Sequence, residues 1–330
     1  MSICLRRREF ITLLGGAAVW PLLARAQATR RIGVLMLGTP TDPGFQADVE
    51  AFTEQLRKLG WIEGKNLHTE YRWTAGDATL MRAYAAELVA LAPDVILAAG
   101  TQNLTALQRL SPATPIIFTF VSDPLAQGFI LNMAHPGANI TGFANYEFTI
   151  GGKWLDLLKQ TVPAIDHVGI MFNPETAPQF KFFMSSIESA AKTLGVSVVG
   201  TPVREAAEIE PAIARIAQQR NGGLVALNDA FLNVHHKVLS QAASRYRVPA
   251  ISAYSGSAAE SVLMSYRAEL TDQFRQAGIY ADRILKGTKA GDLPVQAPTK
   301  FRLTINLKAA RELGIEVPLS ILLIADEQIE

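Results

Sequence analysis

Short apolar runs alternate with segments of helical spacing along most of this chain. The first run, at 32–37, is continuously apolar, as expected for a strand buried on both faces of a parallel sheet. The segment that follows, 45–59, places Val49, Phe52 and Leu56 at helical spacing. Repetition of this order predicts an α/β fold with parallel sheets and right-handed crossovers.

The alternation forms two series with a less regular remainder. The first series ends with a strand at 115–120, and an extended link is predicted at 139–143. The second series begins with a helix at 146–160 and ends with a helix at 231–245 and a strand at 248–252. The remainder is predicted to form a strand at 261–266, a helix at 270–285 and a strand at 301–307. Because about 300 residues exceed the usual size of a single core, we predict two Rossmann-like lobes.

The first 26 residues have the features of an export signal. Arg7 and Arg8 precede Phe10 and an apolar run that is too short to span a bilayer, which needs about 20 residues. An A-x-A triplet at 24–26 supplies a cleavage site, and the arginine pair matches the twin-arginine address. We predict a cleaved twin-arginine signal peptide at 1–26 and a mature periplasmic protein that does not span the membrane.

Charge and cysteine content exclude several classes of function. The chain has 31 Lys and Arg against 30 Asp and Glu, so no basic surface for nucleic acid is expected. Cys4 is the only cysteine and lies in the predicted leader, so the mature protein would depend on its hydrophobic core instead of disulfides.

Motifs for cofactors and catalysis fail in detail. GWIEGKN at 60–66 has three residues between its glycines and Asn66 after the lysine, whereas a P-loop needs four residues and then Ser or Thr. His235 and His236 are adjacent on a predicted helix and cannot chelate together. The sequence contains no G-x-S-x-G elbow. We therefore predict no cofactor, no metal and no catalytic residue.

Small polar residues follow the ends of several predicted strands, which is where ligands bind open α/β sheets. Helix N-termini at the same edge offer free N–H groups to an anion. Each residue alone also fits an ordinary cap or turn, but polar ends in both series suggest a cleft between two lobes. The candidate ligand-binding residues at strand ends are Thr39, Thr101, Gln102, Asn103, Ser122, Asp123, Asn173, Asp229 and Tyr254.

Nearly the whole chain resembles one known family. The stretches that carry the likeness are LGWIEGKNLHTEYRWTAGD at 59–77, APDVILAAGT at 92–101, VSDPLAQGFI at 121–130, HPGANITGF at 135–143, VGIMFNPETAP at 168–178, the long segment at 263–318 and ADEQIE at 325–330. They resemble the periplasmic substrate-binding proteins of ABC transporters with the type I fold, in the group that includes tryptophan- and tyrosine-binding members.

The resemblance implies two lobes that close around a small ligand about a three-crossing hinge. The implied partners are an ABC permease and an ATPase encoded elsewhere, without catalysis or a bound cofactor. The expected crossings lie near 142–144, 264–268 and 295–300, which gives a first lobe of 27–142 plus 268–295 and a second lobe of 143–267 plus 296–330.

The candidate residues suit an amino acid. Thr101, Gln102 and Ser122 would donate to its carboxylate, helped by helix N-termini. Asp123 or Asp229 would pair with its ammonium. An organic acid without an amine is the competing ligand, in which case the two aspartates would be structural caps.

Aromatic residues near the expected cleft would form an apolar wall. Tyr146, Phe231 and Tyr254 are the candidates, and they would favour an aromatic or branched side chain, although packing of the lobes would explain the tyrosines equally well. Two other roles stay open: a ligand-sensing subunit for a membrane receptor, and an enzyme that uses the same cleft.

Overall fold

The computed structural model describes residues 29–110, 113–253, 262–269 and 271–330. The predicted leader at 1–26 and the candidate Tyr254 lie outside these residues. Strands and helices alternate through most of the described chain, as the apolar pattern predicts.

The first series contains β1 (Arg30–Met36), α1 (Pro43–Lys58), β2 (Leu67–Trp73), α2 (Ala78–Ala90), β3 (Val95–Ala99), α3 (Thr101–Leu110), β4 (Ile116–Ser122) and β5 (Ile140–Tyr146). The second contains α4 (Ile150–Thr161), β6 (His167–Phe172), α5 (Phe180–Leu194), β7 (Ser197–Pro202), α6 (Ala206–Ala217), β8 (Gly222–Ala226), α7 (Ala230–Val234), α8 (His236–Arg245) and β9 (Ala250–Ser252). The tail contains β10 (Met264–Ala268), α9 (Thr271–Leu285), β11 (Phe301–Asn306), α10 (Leu307–Leu313), α11 (Leu319–Ile324) and β12 (Glu327–Ile329).

The strands form two sheets, one in each lobe. The first has the order β2-β1-β3-β4-β5 and the second the order β12-β11-β10-β9-β8-β6-β7. All pairs in the first sheet are parallel, and the second sheet is parallel except where β10 meets β11. The predicted class of two α/β lobes is therefore confirmed, with one antiparallel pair that the sequence did not indicate.

Burial explains why the central strands read as apolar runs. In β1, Ile32, Val34, Leu35 and Met36 are fully buried, because helices cover both faces of the sheet. Each such side chain removed from water contributes about 1.5–3 kcal/mol to folding. The carboxyl ends of these strands are the positions that face the other lobe.

The tail supplies a helix to the first lobe before it returns to the second. Helix α9 packs so closely on α1 that a β-carbon on Gly278 would lie 3.0 Å from the β-carbon of Gln55. Strands β10 and β11, on either side of α9, belong to the second sheet. Within the described residues the chain thus passes between the sheets three times.

Two of the crossings lie later in the chain than the resemblance implied. Residues 140–146 are not a short link but a strand, β5, which pairs with β4 as far as Tyr146. The first crossing is therefore 147–149, not 142–144, and helix α4 begins at Ile150 instead of 146. The second crossing follows Ala268, so the lobe boundaries at 142 and 268 both shift toward the C-terminus.

Two further differences concern helices. The helix predicted at 231–245 is divided at His235, which has φ −94° and ψ 18° and separates α7 from α8. The C-terminal segment forms α11 and the edge strand β12, which the sequence pattern did not assign.

Candidate functional site

A cleft lies at the carboxyl ends of the strands, and residues of both lobes line it. The first lobe contributes Thr101, Gln102 and Asn103 with the apolar Leu37, Phe45, Met81 and Phe120, and the second contributes Thr176, Gln179, Asn228, Asp229 and Asn233. The cavity encloses about 40 Å³. Since one water molecule needs about 10–15 Å³ by this measure, the cavity between the lobes has room for only a few water molecules.

The first-lobe side of the cleft is the N-terminus of α3. Gly100, with φ +101°, turns the chain from β3 directly into this helix. Asn103 is fixed there because its side-chain nitrogen donates to the carbonyls of Leu35 (3.2 Å) and Ala99 (2.7 Å). The N–H groups of the first turn have no acceptor within the helix, so this end is suited to an anionic group.

The second-lobe side is organised by Asp229, the N-cap of α7. Its carboxylate accepts hydrogen bonds from the Thr176 hydroxyl (2.6 Å) and the Phe231 N–H (2.8 Å), and also from the Asn173 N–H. The side chain is only 3% exposed, and burial raises the pKa of this carboxyl to about 6 in spite of these hydrogen bonds. Asp229 is among the residues that line the cleft, and its oxygens already serve the fold as a cap.

Four buried polar atoms in the cleft have no hydrogen-bond partner. They are Nε2 of Gln102 and Oδ1 of Asn103 in the first lobe, and Oε1 of Gln179 and Oδ1 of Asn233 in the second. A buried polar atom without a partner costs about 1–3 kcal/mol, so each lobe presents groups that a bound molecule would satisfy.

Sequence reasoning missed Gln179 and Asn233. Both belong to helices of the second lobe: Gln179 occupies the N-cap position of α5 without a side-chain cap bond, and Asn233 lies inside α7. The sequence does indicate that each of these helices starts shortly after a strand end, which places it near the cleft. It does not indicate which side chain of the helix faces the cleft, because that depends on how the lobes meet.

A polar contact behind the cleft joins the lobes. The Asn228 side chain donates to the Ser122 hydroxyl at 3.5 Å, and that hydroxyl donates to Oδ1 of Asn145 at 3.0 Å. Ser122 is fully buried and does not line the cavity. It therefore contributes to the joint between the lobes, whereas the sequence had suggested a ligand donor.

Tyr146 lies at the junction of the two lobes and outside the cavity lining, whereas the sequence had suggested an apolar wall around a ligand. It lies in β5 with 1% exposure, and its ring packs edge-on to Trp154 with the centroids 5.5 Å apart. Its hydroxyl donates to the Ala253 carbonyl at 3.2 Å and accepts from the Ala268 N–H at 3.3 Å. Tyr146 thus ties the end of the first sheet to β10 and to the residue that follows β9 in the second.

The structure also places other candidates outside the cavity lining. Thr39 is hydrogen-bonded to Thr41 at 3.3 Å in the turn before α1. Asp123 accepts from the Ala126 N–H at 3.0 Å and stabilises a turn. The side-chain oxygen of Asn173 accepts from the Glu175 N–H at 2.8 Å, and its side-chain nitrogen donates to the Arg204 carbonyl at 3.3 Å. These residues support turns at the strand ends, the alternative that their types also allowed.

The apolar wall comes from other residues than expected. Phe231 does not line the cavity; its ring lies against that of His235, with the centroids 4.4 Å apart and the planes tilted by 57°. The wall is formed in the first lobe by Phe45 and Phe120, whose centroids are 6.1 Å apart in an edge-on pair, together with Met81. A ligand with an apolar portion would place it against this side.

In the described part of the chain, no set of three or more His, Cys, Asp and Glu is arranged to hold a metal ion. Over the same residues, no helix has the length and apolar character needed to cross a membrane.

Comparison with known proteins gives a family and a relative. The family model described as "ABC transporter substrate binding protein" matches residues 35–329. A protein named "Tyrosine-binding protein" from Clostridioides difficile is 24% identical over 274 residues, which cover 83% of this chain and 78% of that protein.

Solved structures share the architecture. A conserved domain protein from Vibrio cholerae is 26% identical with a TM-score of 0.83, covering 91% of this chain and 99% of the other. The ABC domain in complex with L-Trp from Streptococcus pneumonia is 21% identical with a TM-score of 0.80, covering 92% of this chain and 100% of the other. These are type I periplasmic binding protein folds.

Proposed function

Because the chain belongs to the family of ABC transporter substrate-binding proteins, we propose that it binds a small solute outside the cytoplasm and delivers it to an ABC importer. The ligand lies in the cleft between the lobes, and closure holds it from both sides. In this role the protein performs no chemistry on the solute.

The observation that carries this proposal is the distribution of unpaired polar atoms. Gln102 and Asn103 present theirs from the first lobe, and Gln179 and Asn233 present theirs from the second. A molecule that bonds to both sets favours the closed state, because the open state offers it only one set. Binding is thereby coupled to the movement of the lobes.

The favoured ligand class is an amino acid with an apolar side chain. Its carboxylate would bind at the N-terminus of α3 beside Gln102. Its ammonium would donate to the amide oxygens of Asn103, Gln179 and Asn233. The wall of Phe45 and Phe120 would take the side chain. The name of the Clostridioides difficile relative supports this class.

An organic acid without an amine fits this cleft less well. Among the described residues that line it, none is Lys or Arg, so an anion would meet only neutral donors and a helix end. The orientation of the Asn103 amide is fixed by two hydrogen bonds of its nitrogen, so its oxygen faces the ligand as an acceptor. An amine-free acid would leave that oxygen unpaired, which costs about 1–3 kcal/mol.

Export and partners complete the proposal. The leader at 1–26 directs the chain out of the cytoplasm, and the mature protein acts in the periplasm without a membrane span of its own. An ABC permease receives the solute, and an ATPase behind it supplies the energy.

A thermal-shift screen tests the ligand class. Amino acids are compared with their amine-free counterparts, for example tyrosine with 3-(4-hydroxyphenyl)propionate. At about 100 times its dissociation constant, the correct ligand stabilises the protein by about 2.7 kcal/mol. We expect an apolar amino acid to raise the melting temperature and its amine-free counterpart to have no effect. If only the amine-free counterpart raises the melting temperature, the ligand is an organic acid and not an amino acid.

Transport and chemistry are tested separately. Uptake of the labelled ligand should fall in cells that lack this protein and recover when it is restored. The ligand recovered after long incubation with the purified protein should be unchanged. Normal uptake in the deletion strain would contradict delivery, and a converted ligand would contradict the binding role.

A further inference from the structure

The edges of the two sheets differ in how they are protected. Edge strand β2 carries His68, Glu70 and Arg72, which are linked by side-chain hydrogen bonds. Edge strand β5 is covered by Gln296, which bonds to both neighbours of Phe143. Charged residues and covering segments are the usual means of preventing one edge strand from pairing with another.

The two edges of the second sheet contrast with each other. Strand β12 has only three residues and includes Glu327, which forms an ion pair with Arg302. Strand β7 has six residues, and none of them is charged. Val199, near its centre, is 61% exposed. Among the edges of the described sheets, β7 alone combines length, neutrality and an exposed β-branched side chain.

The backbone of β7 has free groups on its outer side. The Ser197 N–H donates to Asp166, just before β6, and the Val203 N–H donates to Phe172 in β6, which sets the alternation along the strand. Every second residue between them therefore directs its backbone groups away from the sheet, so Val198 and Gly200 present N–H and C=O groups outward. Pro202, the third outward position, has no N–H and ends the free edge. These outward N–H and C=O groups can form backbone hydrogen bonds with one further strand.

We propose that a second copy of this chain pairs with β7 in an antiparallel manner, giving a symmetric dimer with one continuous sheet. The two-fold axis passes beside Val199, which faces its own counterpart as a pair without backbone hydrogen bonds. Val198 of each copy exchanges both backbone hydrogen bonds with Gly200 of the other. The interface is isologous, so it closes on itself and does not form a filament.

The charges around β7 agree with this symmetry. Helix α6 follows the strand, with Glu208 in its first turn and Arg215 in its last turn on the same face, seven residues apart. Glu208 lies beside the end of β7, since its carboxylate accepts from the Arg204 N–H at 2.6 Å, and this end stays acidic because Glu205 and Glu208 outnumber Arg204 there. Arg215 borders the groove that contains Ser197 and Val199. An antiparallel dyad brings the basic end of each helix toward the acidic end of the other.

A groove beside β7 provides apolar area for the contact. It has a volume of about 430 Å³ and includes Val199, Ile216 and Ala212 in its lining. Pairing over about three residues and this groove gives an interface at the small end of the range for specific contacts, so the dimer is weak and concentration-dependent. The cleft lies on other elements of the lobe, so ligand binding continues in the dimer.

Sedimentation velocity of the purified protein between about 5 and 500 µM tests the dimer. We expect the average mass to rise from monomer toward dimer over this range. Val199→Lys places two like charges at the dyad and should keep the protein monomeric throughout. Val199→Thr retains a neutral β-branched residue and should still dimerise. Val238→Lys, at a valine that is 37% exposed on α8, is the matched control and should behave as wild type.

Two results would overturn the proposal. The first is a wild-type protein that remains monomeric up to about 500 µM. The second is a dimer that Val199→Lys leaves intact, which would place the interface elsewhere. Melting temperature and ligand affinity of Val199→Lys should equal those of wild type, which shows that the variant is folded.

Discussion

Gly76 in the first lobe touches the backbone of Ala230 in the second. A β-carbon on Gly76 would lie 3.0 Å from the Ala230 carbonyl oxygen and 3.1 Å from the α-carbon of Phe231. Gly76 precedes α2, whereas Ala230 is the first residue of α7. In this structure the two lobes therefore meet at a place where a side chain has no room.

Gly76→Ala should weaken ligand binding by roughly tenfold or more, because the added methyl group keeps the lobes apart. Gly64→Ala is the matched control: its φ of +75° is close to the +72° of Gly76, and nothing lies within 4 Å of its β-carbon. Both variants should lose about 1 kcal/mol of stability from the backbone conformation. Calorimetry measures the affinities, and small-angle scattering measures the closure. Equal affinities in the two variants would show that this contact does not limit closure.

Gln179→Met should lower ligand affinity about ten- to a hundredfold, since one ligand donor loses its acceptor. The unfolding free energy without ligand should stay the same or rise, because an unpaired buried oxygen is removed. Gln296→Met is the control, as its side chain bonds to the Tyr280 hydroxyl at 3.0 Å outside the cleft. That variant should lose stability and keep its affinity. If Gln179→Met binds the ligand with wild-type affinity, Gln179 does not contact the ligand.

Tyr146→Phe should reduce the unfolding free energy by about 1–2 kcal/mol. The loss follows because the Ala253 carbonyl and the Ala268 N–H lose a buried partner. Ligand affinity should change less than about threefold, since the hydroxyl does not reach the cavity. Chemical denaturation and calorimetry give the two values. A large loss of affinity with unchanged stability would mean that the Tyr146 hydroxyl contacts the ligand.

Stability should depend on pH through Asp48, which lies on α1 with 4% exposure. Burial raises the pKa of this carboxyl from 3.8 to about 7, and the Thr271 hydrogen bond and the charge of Arg267 only partly oppose the rise. Because the folded pKa exceeds the unfolded one, the contribution of Asp48 is fully present below about pH 4 and is lost as the pH rises toward 7.

Asp48→Asn tests this dependence, because the variant cannot ionise at the position. It should show a smaller loss of unfolding free energy between pH 4 and 7 than wild type, measured by urea denaturation. Some dependence should persist in the variant through Asp229, whose pKa is raised to about 6. Parallel curves for wild type and Asp48→Asn would mean that the carboxyl is not protonated in the folded protein.

Arg7→Lys combined with Arg8→Lys should leave precursor in the cytoplasm, because the twin-arginine receptor reads the pair. Arg6→Lys, next to the pair in the same predicted leader, should be exported normally. Cell fractionation with detection of precursor and mature sizes measures both. Unchanged export of the double variant would assign the leader to the general secretory route.

The sequence predicted most strands but missed β5, and the reason is its polar side chains. Thr141 and Asn145 are fully buried in this strand, yet they interrupt the apolar run. Distant partners serve both side chains: Thr141 donates to the Leu293 carbonyl at 2.8 Å, and the side-chain oxygen of Asn145 accepts from Ser122, whereas its nitrogen has no partner. Gly142 hides the pattern further, since a β-carbon there would lie 2.2 Å from the Phe118 carbonyl oxygen. Such compensation comes from tertiary contacts and leaves no local signal.

The cleft was predictable where strand ends define it. Thr101, Gln102 and Asn103 line the cavity because they follow β3 directly, and a strand end is visible as the end of an apolar run. Gln179 and Asn233 depend on the rotation of helices and on the docking of two lobes, neither of which a single sequence specifies. Polar residue types at strand ends also could not distinguish caps such as Asp123 from residues that reach the cavity.

The position of α9 has a consequence for the order in which the chain can fold. Helix α1 is synthesised more than two hundred residues before α9, the helix that covers it. Until α9 emerges from the ribosome, Phe52 and Leu56, which are 1% exposed in the finished protein, lack part of their cover. The first lobe therefore cannot mature as an independent N-terminal unit during translation, and a fragment that ends after β9 should aggregate instead of folding as a half-protein.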